Sequence, residues 1–308
     1  MRKILVTGGA GNIGGALAKE LVKNPDNYVV IADSLITGNI KKLPPATSSN
    51  WKFIKCNTNH YADISAVILA HQFDYIFHYA ALVGVQRTLD NPVMVLDDIQ
   101  GIKNILDLAK NTGVKRVFYS SSSEVYGEPV EFPQNEHTTP LNSRLPYAIV
   151  KNVGEAFLKS YQKEYGLDYT IFRFFNTYGP DQSTDFVMAK FIKAALRQEN
   201  ITIYGEGKQS RTFCYVTDNI EATTRIFYEN LHLNDTINIG NDEEMTILSL
   251  AEKIIEMTGS NSKIIHLPAL KEGDMTRRKP DNTKMRAILG RPLISAEEGI
   301  QKMIDSLK

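Results

Sequence analysis

The sequence predicts an α/β fold: a doubly wound parallel sheet followed by a smaller α/β C-terminal lobe. Three observations carry this expectation. Short apolar runs alternate with longer amphipathic segments, the order of successive β-α-β units. A glycine-rich turn, Val6-Thr7-Gly8-Gly9-Ala10-Gly11-Asn12-Ile13-Gly14, joins the first apolar run to the first amphipathic one. After Phe174 the alternation becomes less regular, and the rest of the chain reads as a second lobe.

In chain order, strands are predicted over 3–6, 28–32, 52–55, 75–79, 116–120 and 169–174, and helices over 12–23, 62–71, 92–112 and 146–165. Pro92 suits a first helical turn, where its missing N–H costs nothing, and Gly113 and Gly166 suit left-handed helix stops. The stretch 35–50, rich in Gly, Pro, Ser and Thr, reads as a surface loop. Beyond Phe174 follow a helix over 186–198, a strand over 201–204, a Gly/Gln/Ser loop over 205–210 and a helix over 218–229. A strand over 237–239 rejoins the main sheet, and helices over 247–258, 282–289 and 296–307 finish the chain. The expected organisation is a Rossmann domain over 1–175, rejoined by 212–240, and a substrate lobe over 176–211 and 241–308.

Composition narrows the classes of function. Hydrophobic residues make up 43% of the 308 residues, enough for a large buried core. The 35 basic residues balance 35 acidic ones, which gives no support to nucleic acid or an anionic membrane as a partner. Cys56 and Cys214 form no spaced motif, which argues against a disulfide framework and a cysteine zinc site; no metal is expected. The N-terminus carries no signal-peptide pattern and no apolar run approaches ~20 residues, so a cytoplasmic protein is expected.

The glycine turn fits the dinucleotide fingerprint. Gly9-x-Gly11-x-x-Gly14 and Gly8-x-x-Gly11-x-x-Gly14 both follow a predicted strand and open a helix. Such glycines permit a tight turn, backbone approach to a pyrophosphate and close helix–strand packing. The helix then aims its positive end at the phosphates. Asp33 ends the next strand, 19 residues after Gly14, where a carboxylate accepts from ribose hydroxyls. It would repel a 2′-phosphate, and no Arg follows it directly, so NAD is expected rather than NADP.

Tyr147 and Lys151 lie four apart on a predicted helix and share a face. An ammonium beside a phenol, together with a positive nicotinamide ring, favours phenolate and is expected to lower the phenol pKa. In isolation the pair reads equally well as a packed Tyr and a solvated Lys. Its place after five β-α units, behind Ser120-Ser121-Ser122-Ser123-Glu124, favours catalysis. The serine run ends a strand at the edge where open α/β sheets bind ligands, so a hydroxyl there can bond a substrate alcohol and pass a proton toward Tyr147. Glu124 can move a second proton or position a group beyond the oxidised carbon.

On these residues the chain resembles the extended short-chain dehydrogenase/reductase superfamily, in its NAD-dependent nucleotide-sugar epimerase/dehydratase branch. The resemblance also rests on His78-Tyr79-Ala80-Ala81, Ser122-Ser123-Glu124-Val125-Tyr126-Gly127 and Arg173-Phe174-Phe175-Asn176-Thr177-Tyr178-Gly179-Pro180. Later it rests on Tyr204-Gly205-Glu206-Gly207, the run from Ser210 to Val216, and Arg278-Lys279-Pro280-Asp281. It implies a tightly held NAD that oxidises a sugar at C4 and returns the hydride. It implies cofactor contacts from Gly8, Gly11, Asn12, Ile13, Gly14, Asp33, Asn57, Ala80, Ala81, Ser120, Tyr147 and Lys151. Where the branch usually has an Asp facing the adenine amino group, this chain has Asn57, whose amide oxygen can still accept. Substrate contacts are implied for Ser122, Asn176, Lys190, Tyr204, Arg211 and Arg278, with Arg278 as a phosphate ligand. The implied catalytic set is Tyr147, Lys151, Ser122, Ser123 and Glu124.

The Ser123-Glu124 pair is similar to UDP-glucuronate decarboxylases and GDP-mannose dehydratases; dTDP-glucose dehydratases carry Asp-Glu there. The C-terminal half most resembles UDP-glucuronate decarboxylases, whereas Gly84-Val85-Gln86-Arg87 and the flanks of Tyr147 look more like 4-epimerases. The expectation is a UDP-glucuronate decarboxylase-like enzyme. The alternatives are a UDP-sugar 4-epimerase, a 4,6-dehydratase and, from another class, a non-catalytic NAD-binding regulator. The resemblance also implies a homodimer built on the helices over 92–112 and 146–165.

Overall fold

A computed structural model describes residues 1–128, 130–269 and 275–307. The first half runs β1 (Arg2–Thr7), α1 (Asn12–Leu21), β2 (Asn27–Asp33), β3 (Trp51–Lys55), α2 (Tyr61–His71), β4 (Tyr75–His78), α3 (Val85–Asp90), α4 (Pro92–Leu96), α5 (Asp98–Asn111), β5 (Arg116–Ser122) and α6 (Pro146–Tyr165). Then follow β6 (Asp168–Phe174), β7 (Thr177–Tyr178), α7 (Val187–Leu196), β8 (Ile201–Tyr204), β9 (Ser210–Thr212), β10 (Cys214–Tyr215) and α8 (Val216–Tyr228). The chain closes with β11 (Asp235–Ile239), β12 (Glu244–Thr246), α9 (Ile247–Thr258), β13 (Ile264–Leu267), α10 (Thr283–Leu289) and α11 (Ala296–Leu307).

Seven strands form one parallel sheet in the order β11-β6-β5-β4-β1-β2-β3. Alternation along each strand sends successive side chains to opposite faces. Ile4 and Val6 join Leu17 and Leu21 of α1 and Phe227 of α8 on one face. Leu5, between them, joins Ile64 of α2, Ile105 of α5 and Leu158 of α6 on the other. The strand order reverses between β1 and β4, which leaves a crevice at the carboxyl ends of the strands. Three two-stranded sheets, β7 with β10, β9 with β12 and β8 with β13, lie in the later part of the chain. Among the described residues no helix is long and apolar enough to cross a membrane.

The α/β architecture matches the expectation, and three local differences have physical reasons. The helix expected over 92–112 is interrupted at Asp97, which keeps right-handed helical angles (φ −60°, ψ −23°), so α4 and α5 nearly continue one another. Helix α3 was not expected; six residues are too few for a helical period to be read, and none of them is buried. Strands β7, β9, β10 and β12 span two or three residues each, too few for a period of two to be read.

One buried charge pair fixes α6 to the sheet. The Arg173 guanidinium of β6 donates to both Glu155 carboxylate oxygens of α6, at 2.9 and 2.7 Å, and each residue is 1% exposed. Glu155 also accepts from the Ser121 hydroxyl at 2.6 Å, and Arg173 donates to the Tyr126 hydroxyl at 2.8 Å. Removing one member of such a pair leaves the other charged and unpaired in the interior. Glu155→Ala is therefore expected to cost about 3–5 kcal/mol of unfolding free energy. Denaturant titration against wild type checks this; a loss below about 1 kcal/mol would contradict it.

Candidate active site

The cofactor end is built from backbone. Gly8 takes φ +67°, and a Cβ there would lie 2.6 Å from the Ala80 nitrogen and 2.7 Å from the Tyr79 carbonyl carbon. A Cβ on Gly14 would meet the Gly8 carbonyl oxygen at 2.3 Å. The first glycine lets the β1–α1 turn press against the segment after β4, and the second lets α1 start close against that turn. The Thr7 hydroxyl sits beneath it, accepting from the Tyr79 and Ala80 amides at 3.1 and 3.2 Å and bonding His78 Nδ1 at 2.8 Å. Burial, with Lys151 adding to it, pushes the His78 imidazole down to about 3, so it stays neutral.

Asp33 closes this end. Its carboxylate accepts from the Ala10 amide at 2.9 Å and the Leu35 amide at 2.8 Å, and only 8% of the residue is exposed. These bonds fix the carboxylate at the tip of β2 while it still faces the cleft. The Asn57 amide oxygen accepts from the Asn59 backbone N–H at 3.1 Å, an arrangement that shapes the loop after β3. Gly11, Asn12, Ile13 and Gly14, at the start of α1, line the cleft as well. A glycine cradle without room for a Cβ, a helix N-terminus and a fixed carboxylate fit a dinucleotide.

The end expected to be catalytic comes from α6 and β5. Lys151 is 3% exposed, and its ammonium donates to the Ser120 carbonyl at 2.6 Å and reaches the Ser120 hydroxyl at 3.4 Å. Its nitrogen lies 5.7 Å from the Tyr147 ring centre. Burial lowers the Lys151 pKa to about 8, and the Asp98 carboxylate opposes that fall. Tyr147 is partly exposed to the cleft and hydrogen-bonds Ser122. The Ser122 hydroxyl also accepts from the Glu124 amide at 3.2 Å. Glu124 accepts from the Arg278 guanidinium at 2.8 Å, with Arg278 buried.

The protein's own groups act against the expected phenolate. Among the protein's own groups, desolvation raises the Tyr147 pKa well above its ordinary value, and the Glu124 charge raises it further. The Ser122 hydrogen bond and the Arg278 charge pull the other way and do not overcome them. The Lys151 ammonium makes its short contact with the Ser120 carbonyl.

The remaining residues come from the second lobe. Asn176 takes φ +29° and donates its amide to the Thr212 carbonyl at 2.9 Å. The Lys190 ammonium stands 5.9 Å from the Tyr204 ring centre, and the buried Arg211 donates to its neighbour Ser210 carbonyl at 2.8 Å. Every site residue singled out from the sequence, Ser123 included, lies on the wall of one cleft of about 780 Å³. Arg278, expected as a phosphate ligand, lines this cleft and pairs with Glu124.

Sequence reasoning missed Asp98. This cleft residue in the first turn of α5 accepts from the Leu82 amide at 2.8 Å and the Asn59 side-chain amide at 3.0 Å. Burial pushes its carboxyl pKa up. From sequence, Asp97-Asp98 reads only as the acidic start of a helix.

Residues 4–240 match the profile of the NAD dependent epimerase/dehydratase family. A UDP-N-acetyl-alpha-D-glucosaminuronate decarboxylase of Bacillus cytotoxicus is 35% identical, over 98% of this chain and 97% of the relative. UDP-glucuronic acid decarboxylase 3 of Arabidopsis thaliana is 34% identical, over 99% of this chain and 89% of the relative. The crystal structure of a UDP-glucose 4-epimerase from Thermotoga maritima, with UDP-glucose, superposes with a TM-score of 0.91 at 30% identity, covering 99% of this chain and 98% of that one. The chain belongs to the NAD dependent epimerase/dehydratase family, as the sequence resemblance implied. It is an NAD-dependent enzyme.

The Lys151 shift makes a stability prediction for the cofactor-free protein. The folded state releases this proton near pH 8 and the unfolded chain near 10.5. Between those values the unfolded chain binds more protons, so folding stability rises with pH across that window. Lys151→Met lacks this dependence. Its unfolding free energy relative to wild type is expected to fall by about 3 kcal/mol from pH 7.5 to 10.5, read by urea titration at each pH. A constant difference would contradict the buried, depressed ammonium.

Proposed function

We propose that this chain is a nucleotide-sugar decarboxylase of the UDP-glucuronate type, acting through transient oxidation at C4 of the sugar. The observation that carries the reading is the Glu124–Arg278 pair at the cleft wall beside Tyr147. A buried guanidinium next to the catalytic phenol suits a substrate that brings a carboxylate there, because its planar fork serves carboxylates with paired, charge-assisted donors. The two decarboxylase relatives support the same reading.

Bound NAD supplies a hydride acceptor that later returns the hydride, and a positive charge that favours phenolate. Tyr147 takes the C4 hydroxyl proton, which requires that added charge because burial and Glu124 hold its phenol high. Ser122, bonded to the same phenol, orients the sugar oxygen, and Ser123 flanks it. Lys151, braced on the Ser120 carbonyl, anchors the cofactor ribose. Arg278 holds the sugar carboxylate. Once C4 is a ketone, the C5–C6 bond breaks with its electrons delocalised into the keto group, and carbon dioxide leaves. Glu124 serves the proton that C5 then needs. Asn176, Lys190, Tyr204 and Arg211 hold the nucleoside diphosphate, with UDP favoured.

In this reading residues 1–175 with 212–240 serve the cofactor, and 176–211 with 241–308 serve the sugar nucleotide. Val93, Met94 and Leu96 of α4 and Ile149 of α6 are exposed apolar residues, which supports a homodimer through these helices. Both cysteines are free and buried, in keeping with a cytoplasmic enzyme. Light scattering is expected to give twice the chain mass of 34.6 kDa, and a monomer at micromolar concentration would refute the dimer.

The likeness to the Thermotoga maritima epimerase makes C4 epimerisation the second reading. Incubation with UDP-glucuronate, its 2-acetamido counterpart and UDP-glucose decides between them. Carbon dioxide release from a uronate is expected; an interconverted 4-epimer of UDP-glucose without carbon dioxide would overturn the first reading. Tyr147→Phe is expected to slow turnover by about 10²–10⁴-fold while NAD stays bound. Unchanged turnover would remove Tyr147 from the mechanism.

A further inference from the structure

Arg278 sits in a short extended segment whose side chains alternate. Arg277 and Lys279 turn one way and Arg278 the other. Arg277 donates to both carboxylate oxygens of Glu244, from Nε at 2.5 Å and Nη2 at 2.6 Å. The Lys279 ammonium approaches the same carboxylate at 3.3 Å. Arg278, between them, reaches Glu124 at 2.8 Å on the opposite side. The backbone of this segment is also tied down. The Ser210 amide donates to the Thr276 carbonyl at 3.1 Å, and the Gln134 amide donates to the Lys279 carbonyl at 2.8 Å.

Glu244 lies on β12, which pairs antiparallel with β9 so that Met245 stands opposite Arg211. The Ser210 hydroxyl donates to Glu244 as well, at 3.3 Å. The same two-stranded sheet therefore carries Arg211 on the cleft wall and, through Glu244, the two neighbours of Arg278. Arg277 and Lys279 hold the Glu244 carboxyl down at about 2, so it is charged throughout the working range of pH.

We propose that Glu244 is the positioning residue for Arg278: by clamping Arg277 and Lys279 from one side, it fixes the strand phase that turns Arg278 into the cleft against Glu124. Glu244 itself is not on the cleft wall, so it acts through Arg278. The assignment rests on the decarboxylase reading only for its kinetic consequence. The placement of Arg278 is testable without any substrate.

The test is Glu244→Gln, which keeps the shape and removes the charge, with Glu244→Asp as the conservative partner. Arg278 modification by phenylglyoxal, mapped by mass spectrometry in the holoenzyme, is the first readout. In wild type Arg278 is expected to be protected, and in Glu244→Gln to react about tenfold faster, with Glu244→Asp between them. NAD retention and unfolding midpoint near the wild-type values establish that the variant is folded. The second readout is carbon dioxide release: kcat with UDP-glucuronate is expected to fall about tenfold in Glu244→Gln while the Kd for UDP changes less than about threefold. Equal protection of Arg278 in wild type and Glu244→Gln overturns the proposal, whatever the kinetics. If wild type releases no carbon dioxide but Arg278 becomes exposed in the variant, the decarboxylase reading fails and the positioning role stands.

Discussion

The whole arrangement depends on a buried ammonium held by a backbone carbonyl. Lys151 reaches from the second turn of α6 to the Ser120 carbonyl at the end of β5. A desolvated cation is costly, and this one is retained because a carbonyl dipole and the Asp98 carboxylate offset part of the cost. The contact draws the start of α6 onto the strand end that carries Ser122 and Ser123. Tyr147, one turn earlier, thereby meets Ser122 while it stays partly exposed to the cleft. One layer deeper, the Arg173–Glu155 pair with Ser121 does the same for the middle of the helix. Charge burial at two depths thus converts a helix docked on a sheet into a fixed set of side chains around one phenol.

The consequence is a division of labour between fixed and responsive groups. The glycine cradle and Asp33 are held by backbone contacts. Tyr147 is different: burial and the Glu124 charge oppose its ionisation, so in the proposed reaction it acts as a base only with a positive charge beside it. In the proposed reaction, that dependence ties proton removal to the oxidised cofactor.

Much of this was legible in the sequence because it is local. The glycine turn, the Asp at the end of the second strand and the four-residue spacing of Tyr147 and Lys151 are read within a few residues of each other, and the structure brings them to one cleft. What sequence did not carry is pairing across long separations. Asp98 acts on Leu82 and Lys151, and Glu244 holds Arg277; neither partner is marked by any pattern. The upward push of the protein's own groups on Tyr147 was not legible for the same reason: proximity to Lys151 is visible in a sequence, whereas desolvation and the approach of Glu124 are not. Helix α3 escaped because six residues are too short a window for a helical period to be detected.

The chain leaves the large sheet at Phe174 and comes back as β11, which pairs with β6 from Thr170 to Phe174 along the outer edge. Everything that lines the far end of the cleft is therefore threaded between two strands that are neighbours in space, or follows the later of them. No contiguous stretch can be cut out as a portable recognition module, because excision would strip an edge strand from the sheet. Altered selectivity on this scaffold has to come from exchanging individual side chains along the cleft, with the backbone route left intact.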